Sequence, residues 1–162
     1  MPRPAGTPFV APFAGFAQRV RDSFARQGAM GHIGAEILAI EPGYCAIALP
    51  TRAELTQQHG YVHAGMIGAI VDTAGGYAGF TLFPEDASVL TVEFKVNLVA
   101  PAHGERLVAE GFVVKPGRTL AITRGEVHAE HGGTRTLVAL MQQTLMVMHG
   151  KADVADRSRT TS

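Results

Sequence analysis

The stretch from Ala64 to Leu82 constrains the fold most, because it is long, apolar and rich in glycine. Its apolar residues recur at helical spacing, which predicts an α-helix, and Asp72 is its only acidic residue. On the helix face of Asp72, the positions i−4, i+3, i+4 and i+7 all carry glycine. The glycines of this track are Gly68, Gly75, Gly76 and Gly79.

The glycine track has an energetic consequence for this helix. Each glycine in a helix interior costs roughly 1 kcal/mol relative to alanine, so tertiary packing must hold the helix. The missing side chains also allow another element or a ligand to approach the Asp72 face closely. Two interpretations of Asp72 stay open at this point: a structural hydrogen bond, or a functional carboxylate in a largely apolar setting.

The segments around this helix predict an α+β architecture. An amphipathic helix begins near Pro12 and ends at Gly28, where glycine is a natural stop. Two strands follow before the long helix, and from Ser88 onward the apolar period changes to two. Short turns between the later strands favour an antiparallel meander. The other predicted strands are Ile33 to Ile40, Tyr44 to Leu49, Leu107 to Val114, Leu120 to Ala129 and Thr136 to Met148.

Length and composition fit one domain in the cytoplasm. The chain has 162 residues, of which 46% are hydrophobic, and we expect one domain over 13–149 between a flexible arm, 1–12, and a disordered tail, 150–162. Fourteen Lys and Arg balance 14 Asp and Glu, which disfavours nucleic acid and anionic membrane surfaces as partners. No signal peptide or membrane span is visible, and the single cysteine, Cys45, reads as a buried thiol.

The segment from Gln57 to Gly65, QQHGYVHAG, followed by Asp72-Thr73-Ala74, resembles the signature of the hotdog-fold thioesterases. It is most similar to the phenylacetic-acid-degradation-type (PaaI-like) acyl-CoA thioesterases, in which a His-Gly-Gly step opens a long helix and an acidic residue follows nine positions after the His. Ala64 replaces the middle glycine here. The resemblance implies a long helix wrapped by a curved antiparallel sheet.

The same resemblance implies roles for individual residues. Asp72 corresponds to the catalytic acid, and His63 with the next backbone N–H, that of Ala64, to the turn that polarises the thioester carbonyl. Gln57 falls where relatives carry an amide near the reacting group. Thr91 falls where some relatives have a hydroxyl that assists the attacking water.

The chemistry of thioester hydrolysis suits these residues. Ala64 and Gly65 offer unpaired N–H groups at the positive end of a helix, and Asp72 offers a nucleophile or a general base. These groups are separated by about 12 Å along a helix that rises 1.5 Å per residue. We therefore expect a two-fold homodimer, or a dimer of dimers, in which Asp72 faces the Ala64 end of the partner helix.

Coenzyme A is expected as part of the substrate, with no separate cofactor. Lys115 and Arg118 lie in one predicted hairpin and are candidates for its phosphates, although a solvated turn explains them as well. His59 and His63 have the spacing of a metal pair, but no third ligand accompanies them, so no metal site is predicted.

Two other functions compete with an acyl-CoA thioesterase. A hotdog acyl-CoA hydratase would need a histidine paired with an acid for proton transfer at carbon, whereas His63 opens the helix. A non-catalytic acyl-thioester binding module would leave Asp72 a packing role only. The joint presence of Gln57, His63 and Asp72 argues against the binding module.

Overall fold

The computed structural model describes residues 9–151 and 153, and it confirms the predicted fold class. A long helix lies against one curved antiparallel sheet of six strands in the order β1-β2-β4-β5-β6-β3, and two shorter helices precede the first strand. The elements are α1 (Phe16–Ala25), α2 (Gly28–Ile33), β1 (Glu36–Glu41), β2 (Tyr44–Pro50), a 3-10 turn (Ala53–Leu55), α3 (Ala64–Phe80), β3 (Ser88–Leu98), β4 (Arg106–Lys115), β5 (Leu120–His131) and β6 (Thr134–Met148).

A pair of glycines in the sheet makes room for α3. Gly111 of β4 and Gly125 of β5 are cross-strand partners in the centre of the sheet. A Cβ at Gly111 would lie 2.2 Å from the Ala74 carbonyl oxygen, and a Cβ at Gly125 would lie 2.4 Å from Val71 Cγ2. The helix backbone therefore sits directly on the strands, which explains how a glycine-rich helix is held by packing.

Strand β3 lies at the edge of the sheet and is exposed on both faces. It pairs with β6 alone among the described strands. Its side chains Leu90, Val92 and Phe94 are 56%, 54% and 47% exposed in the isolated chain. A long edge strand with apolar side chains presents unpaired backbone groups to any second chain.

The N-terminal region differs from the sequence prediction in two places. Residues Gly28–Ile33 form the short helix α2, and the first strand begins at Glu36 rather than at Ile33. Gly34 ends α2 with a φ of 75°, a left-handed conformation that glycine adopts without a steric penalty. A six-residue helix carries too few apolar repeats to be distinguished from a strand by periodicity.

Cys45 is fully buried in β2, as expected from its apolar neighbours. Burial raises the pKa of its thiol to about 12, so the thiolate is disfavoured. In the part of the chain that the structure covers, no helix combines the length and hydropathy needed to cross a bilayer. Most of the predicted arm, 1–12, and tail, 150–162, lies outside the described residues.

Candidate active site

The start of α3 presents one free backbone donor. His63 is the N-cap residue, and its Nδ1 accepts a hydrogen bond from the Gly65 N–H at 2.9 Å. The Ala64 N–H makes no hydrogen bond with any described residue. Ala64 fits at this position, where the resemblance implies a glycine, because no described residue other than glycine has a positive φ. The free donor at this helix end is therefore the N–H of Ala64, since the cap occupies that of Gly65.

The Asp72 carboxylate is held through one oxygen. The Thr91 hydroxyl donates to Asp72 Oδ1 at 2.7 Å, and the Gln143 amide donates to the same oxygen at 2.5 Å. Within the described residues, Asp72 Oδ2 receives no hydrogen bond. The carboxylate is thus half-buried and oriented, and one oxygen remains available to a substrate or a water molecule.

Sequence reasoning found Thr91 through the resemblance but missed Gln143 and Thr123. The amide of Gln143 also donates to the Asp72 carbonyl oxygen at 3.1 Å and to Thr91 Oγ1 at 3.2 Å. Its Oε1 accepts a hydrogen bond from Thr123 Oγ1 at 2.6 Å. Strand alternation could have identified Gln143, because it lies between Met141 and Leu145 on the inward-facing side of β6. A polar group at such a position needs a hydrogen-bond partner.

The glycine track divides into two kinds of position. A Cβ at Gly75 would lie 2.2 Å from Gln143 Oε1, and one at Gly79 would lie 2.4 Å from Leu145 Cδ1. Because Gly75 and Gly79 have no side chain, β6 and the Gln143 amide that holds Asp72 can approach α3 closely. By contrast, a Cβ at Gly76 would meet nothing within 4 Å, and one at Gly68 would only touch Phe94 at 4.0 Å.

Two surface grooves meet at Ala64. The first, of about 410 Å³, runs between α3 and β3 from Ala64 and Gly65 to Asp72, and Phe94 and Leu98 line its other wall. The second, of about 570 Å³, shares Ala64 and Leu98 with the first. The second groove is also lined by Gln57, Tyr61, His63 and Pro101.

The predicted site residues from Gln57 to Asp72 thus line two adjoining grooves. Gln57, His63 and Ala64 line one groove, while Ala64, Gly65 and Asp72 line the other, and Thr91 bonds to Asp72. The Gln57 side-chain oxygen accepts a hydrogen bond from the His59 N–H, which closes the loop before the helix. The described residues contain no group of three His, Cys, Asp or Glu side chains that could hold a metal ion.

Lys115 and Arg118 do not lie near the start of α3. Both are exposed at the β4–β5 hairpin, and Leu120 beside it pairs with Met146, which in turn pairs with Leu90. The hairpin therefore lies at the Leu90 end of β3, whereas Leu98 and Ala64 mark the other end. At about 3.3 Å per residue, these two ends of β3 are separated by roughly 26 Å.

The comparisons with known proteins show the family of this chain. The sequence model of the thioesterase superfamily matches residues 59–136, which include the helix, Asp72 and Thr91. A solved structure of a thioesterase family protein from Silicibacter pomeroyi is 48% identical, covers 84% of this chain and all of its own, and superposes with a TM-score of 0.83. The chain belongs to the thioesterase superfamily.

More distant proteins are also similar to this chain. The PaaI protein of the E. coli phenylacetic acid degradation operon is 17% identical, with a TM-score of 0.75 over 84% of this chain and 95% of its own. A provisionally named esterase from Saccharolobus solfataricus is 29% identical over 92 residues, 56% of this chain. This chain spans just under two thirds, 64%, of that relative's length. These similarities agree with membership of the thioesterase superfamily.

Proposed function

We propose that the protein hydrolyses acyl-CoA thioesters to a free acid and coenzyme A, without a further cofactor. The observation that carries the proposal is the groove between α3 and β3. A free helix-start N–H lies along its α3 side at one end and an oriented carboxylate at the other, opposite the apolar wall formed by β3. In the proposed reaction the thioester carbonyl oxygen accepts a hydrogen bond from the Ala64 N–H, at the positive end of the helix. Gln57 and His63 border the reacting group from the adjoining groove.

Asp72 is the nucleophile or the general base in this proposal. Its Oδ2 either attacks the carbon directly, forming an acyl anhydride that water then cleaves, or takes a proton from an attacking water molecule. In both routes the carbon–sulfur bond breaks and the thiolate of coenzyme A leaves. Thr91 and Gln143 keep Oδ1 engaged, so the reacting oxygen is Oδ2.

The site is shared between two copies of the chain in this proposal, as a homodimer or a dimer of dimers. Ala64 and Asp72 are separated by about 12 Å along one helix, so one copy cannot bring both to a single carbonyl. The edge strand β3 offers the interface. If two β3 strands pair about a two-fold axis at the strand centre, the Thr91 end of one meets the Leu98 end of the other, which brings Asp72 of one copy to Ala64 of the other.

Lys115 and Arg118 fit the phosphates of coenzyme A in the same arrangement. They lie at the Asp72 end of their own chain, so the copy that supplies Asp72 would also supply these cations. Arg118→Ala should raise KM for an acyl-CoA with kcat little changed, because a phosphate contact is made equally in ground state and transition state. A short N-acetylcysteamine thioester, which has no nucleotide, should be affected far less. Equal effects on both substrates would remove the phosphate role.

A panel assay separates this function from its competitors. We expect free thiol to be released from at least one class of acyl-CoA, and the apolar wall formed by Phe94, Val96 and Leu98 favours an apolar or aryl acyl chain. An enoyl-CoA absorbance assay runs alongside. Hydration of the enoyl substrate without thiol release would indicate a hydratase, and binding of acyl-CoA with neither reaction would indicate a binding module.

A further inference from the structure

The buried side-chain amide of Gln143 contacts the proposed catalytic carboxylate of Asp72. Gln143 is 1% exposed and Thr123 is fully buried, on neighbouring strands that pair them directly. A primary amide is costly to bury unless its donors and acceptor are all used. Here they are used, since Oε1 accepts from Thr123 and Nε2 donates to Asp72 and Thr91.

The orientation of this amide is fixed by the acceptors around it. Nε2 faces two oxygens of Asp72, the carboxylate Oδ1 and the backbone carbonyl, and neither of these can donate. A flipped amide would place Oε1 against both oxygens and would leave the Thr123 hydroxyl facing an NH₂ group. The hydrogen bonds from Thr123 to Gln143 and from Gln143 to Asp72 are therefore all formed in only one orientation of the amide.

We propose that Gln143 is a positioning residue, oriented by Thr123, that fixes the Asp72 carboxylate with Oδ2 directed to the groove. This inference rests on the proposed catalytic role of Asp72. The terminal torsion of an aspartate is soft, and a single donor from Thr91 would leave the carboxylate free to rotate. The Gln143 amide is the second donor to Oδ1, and it also donates to the Asp72 carbonyl oxygen. It therefore links both the Asp72 side chain and the α3 backbone to β6.

The test replaces the amide by a side chain of similar length without donors. Gln143→Met should lower kcat by about 10- to 100-fold with KM changed by less than about threefold, because a small misplacement of a reacting group costs rate rather than binding. Gln142→Met is the matched control, since Gln142 is the next residue on the same strand but is exposed on the outer face. Equal kcat values for the two folded variants would overturn the proposal.

A double-mutant cycle separates positioning from a purely structural role. If Gln143 acts through Asp72, adding Gln143→Met to Asp72→Asn should lower the residual kcat no further. A second loss of the same factor would overturn the proposal, because the amide would then act independently of the carboxylate. A fully active Asp72→Asn protein would instead contradict the proposed function itself, so the two failures are distinguishable.

Thr123 provides a second route if Gln143→Met does not fold. Thr123→Val keeps the volume of the side chain but removes the hydroxyl that orients Oε1. We expect kcat to fall by about 3- to 10-fold with KM unchanged, and Thr123→Ser to restore it. Wild-type kcat in a folded Thr123→Val protein would show that the amide needs no orientation and would overturn the role assigned to Thr123.

Discussion

At the scale of single residues, neighbouring glycines of α3 should respond oppositely to the same substitution. Gly76→Ala adds a methyl group where nothing lies within 4 Å, so it should raise the free energy of unfolding by about 1 kcal/mol through helix propensity alone. Gly75→Ala places its methyl group 2.2 Å from Gln143 Oε1 and should lower that free energy by about 1–3 kcal/mol. Urea denaturation of both variants measures the difference.

The kcat of the same two variants gives an independent check. Gly75→Ala should also lower kcat, because the methyl group displaces the amide that holds Asp72. If Gly75→Ala is as stable as Gly76→Ala, the close approach of β6 to α3 at this point is wrong.

Sequence patterns predict some residues of the candidate site but not others. The spacing from His63 to Asp72 and the position of Thr91 could be read in the sequence, because they lie in one contiguous motif and the strand after it. Gln143 and Thr123 could not be assigned to the site, since they lie far along the chain and are brought to Asp72 only by the pairing of β5 with β6 and β6 with β3. The occupation of the Gly65 N–H by His63 depends on side-chain geometry that no pattern contains.

At the scale of secondary-structure elements, the C-terminal end of α3 is anchored by one arginine of α1. Arg19 donates to the carbonyl oxygens of Phe80 and Pro84 at 2.6 Å, and to those of Phe83 and Glu85 at 3.0 and 3.2 Å. Helical spacing alone places Arg19 on the side of this helix opposite its apolar residues. The guanidinium instead donates to carbonyl oxygens at the end of α3 and in the segment that follows it, and its Cζ lies 4.0 Å from the centroid of the Phe80 ring.

Replacement of this arginine should cost stability rather than catalysis. Arg19→Ala should lower the free energy of unfolding by about 2–3 kcal/mol, because charge-assisted hydrogen bonds and the stacking contact are lost together. Arg19→Lys should restore only part of it, since an ammonium group cannot span the same set of carbonyls. Thermal unfolding measures both effects. An Arg19→Ala protein with wild-type Tm would show that the end of α3 is held by other contacts.

The long helix and the four long strands were predictable, but the register of the strands and their order in the sheet were not, since β3 pairs with β6 rather than with β4. Alternation of apolar residues and the turn residues identified the four long strands and α3 to within a few residues. In the sequence, Gly111 and Gly125 are two separate glycines that weaken their strands. Only the register between β4 and β5 brings them side by side, at the point where α3 packs on the sheet.

At the scale of the whole molecule, the proposed shared site predicts complementation between two inactive variants. Ala64→Pro removes the donor N–H at the first position of α3, where proline is well tolerated, and His63 before it has an extended backbone that a following proline accepts. Asp72→Asn removes the carboxylate. Each variant alone should be nearly inactive, because each homodimer lacks one component at both sites.

Co-expression of the two variants should restore activity. Random association gives heterodimers as about half of all dimers, and each has one site with both Ala64 and Asp72 intact, so about one quarter of wild-type activity should return. Each variant mixed with itself is the control. No recovery in purified heterodimers would contradict a site built from two copies.

The most direct test of the central claim, that Asp72 performs the chemistry, is kcat and Tm of Asp72→Asn measured on one preparation. Asparagine keeps an oxygen to accept from Thr91 and Gln143, so the fold and Tm should be nearly unchanged. It lacks the basicity and charge of the carboxylate, so kcat for acyl-CoA hydrolysis should fall by about 10²-fold or more. A folded Asp72→Asn protein with near-wild-type kcat would contradict the catalytic role, and Asp72 would then serve only as a hydrogen-bond acceptor in the packing of α3 against β3 and β6.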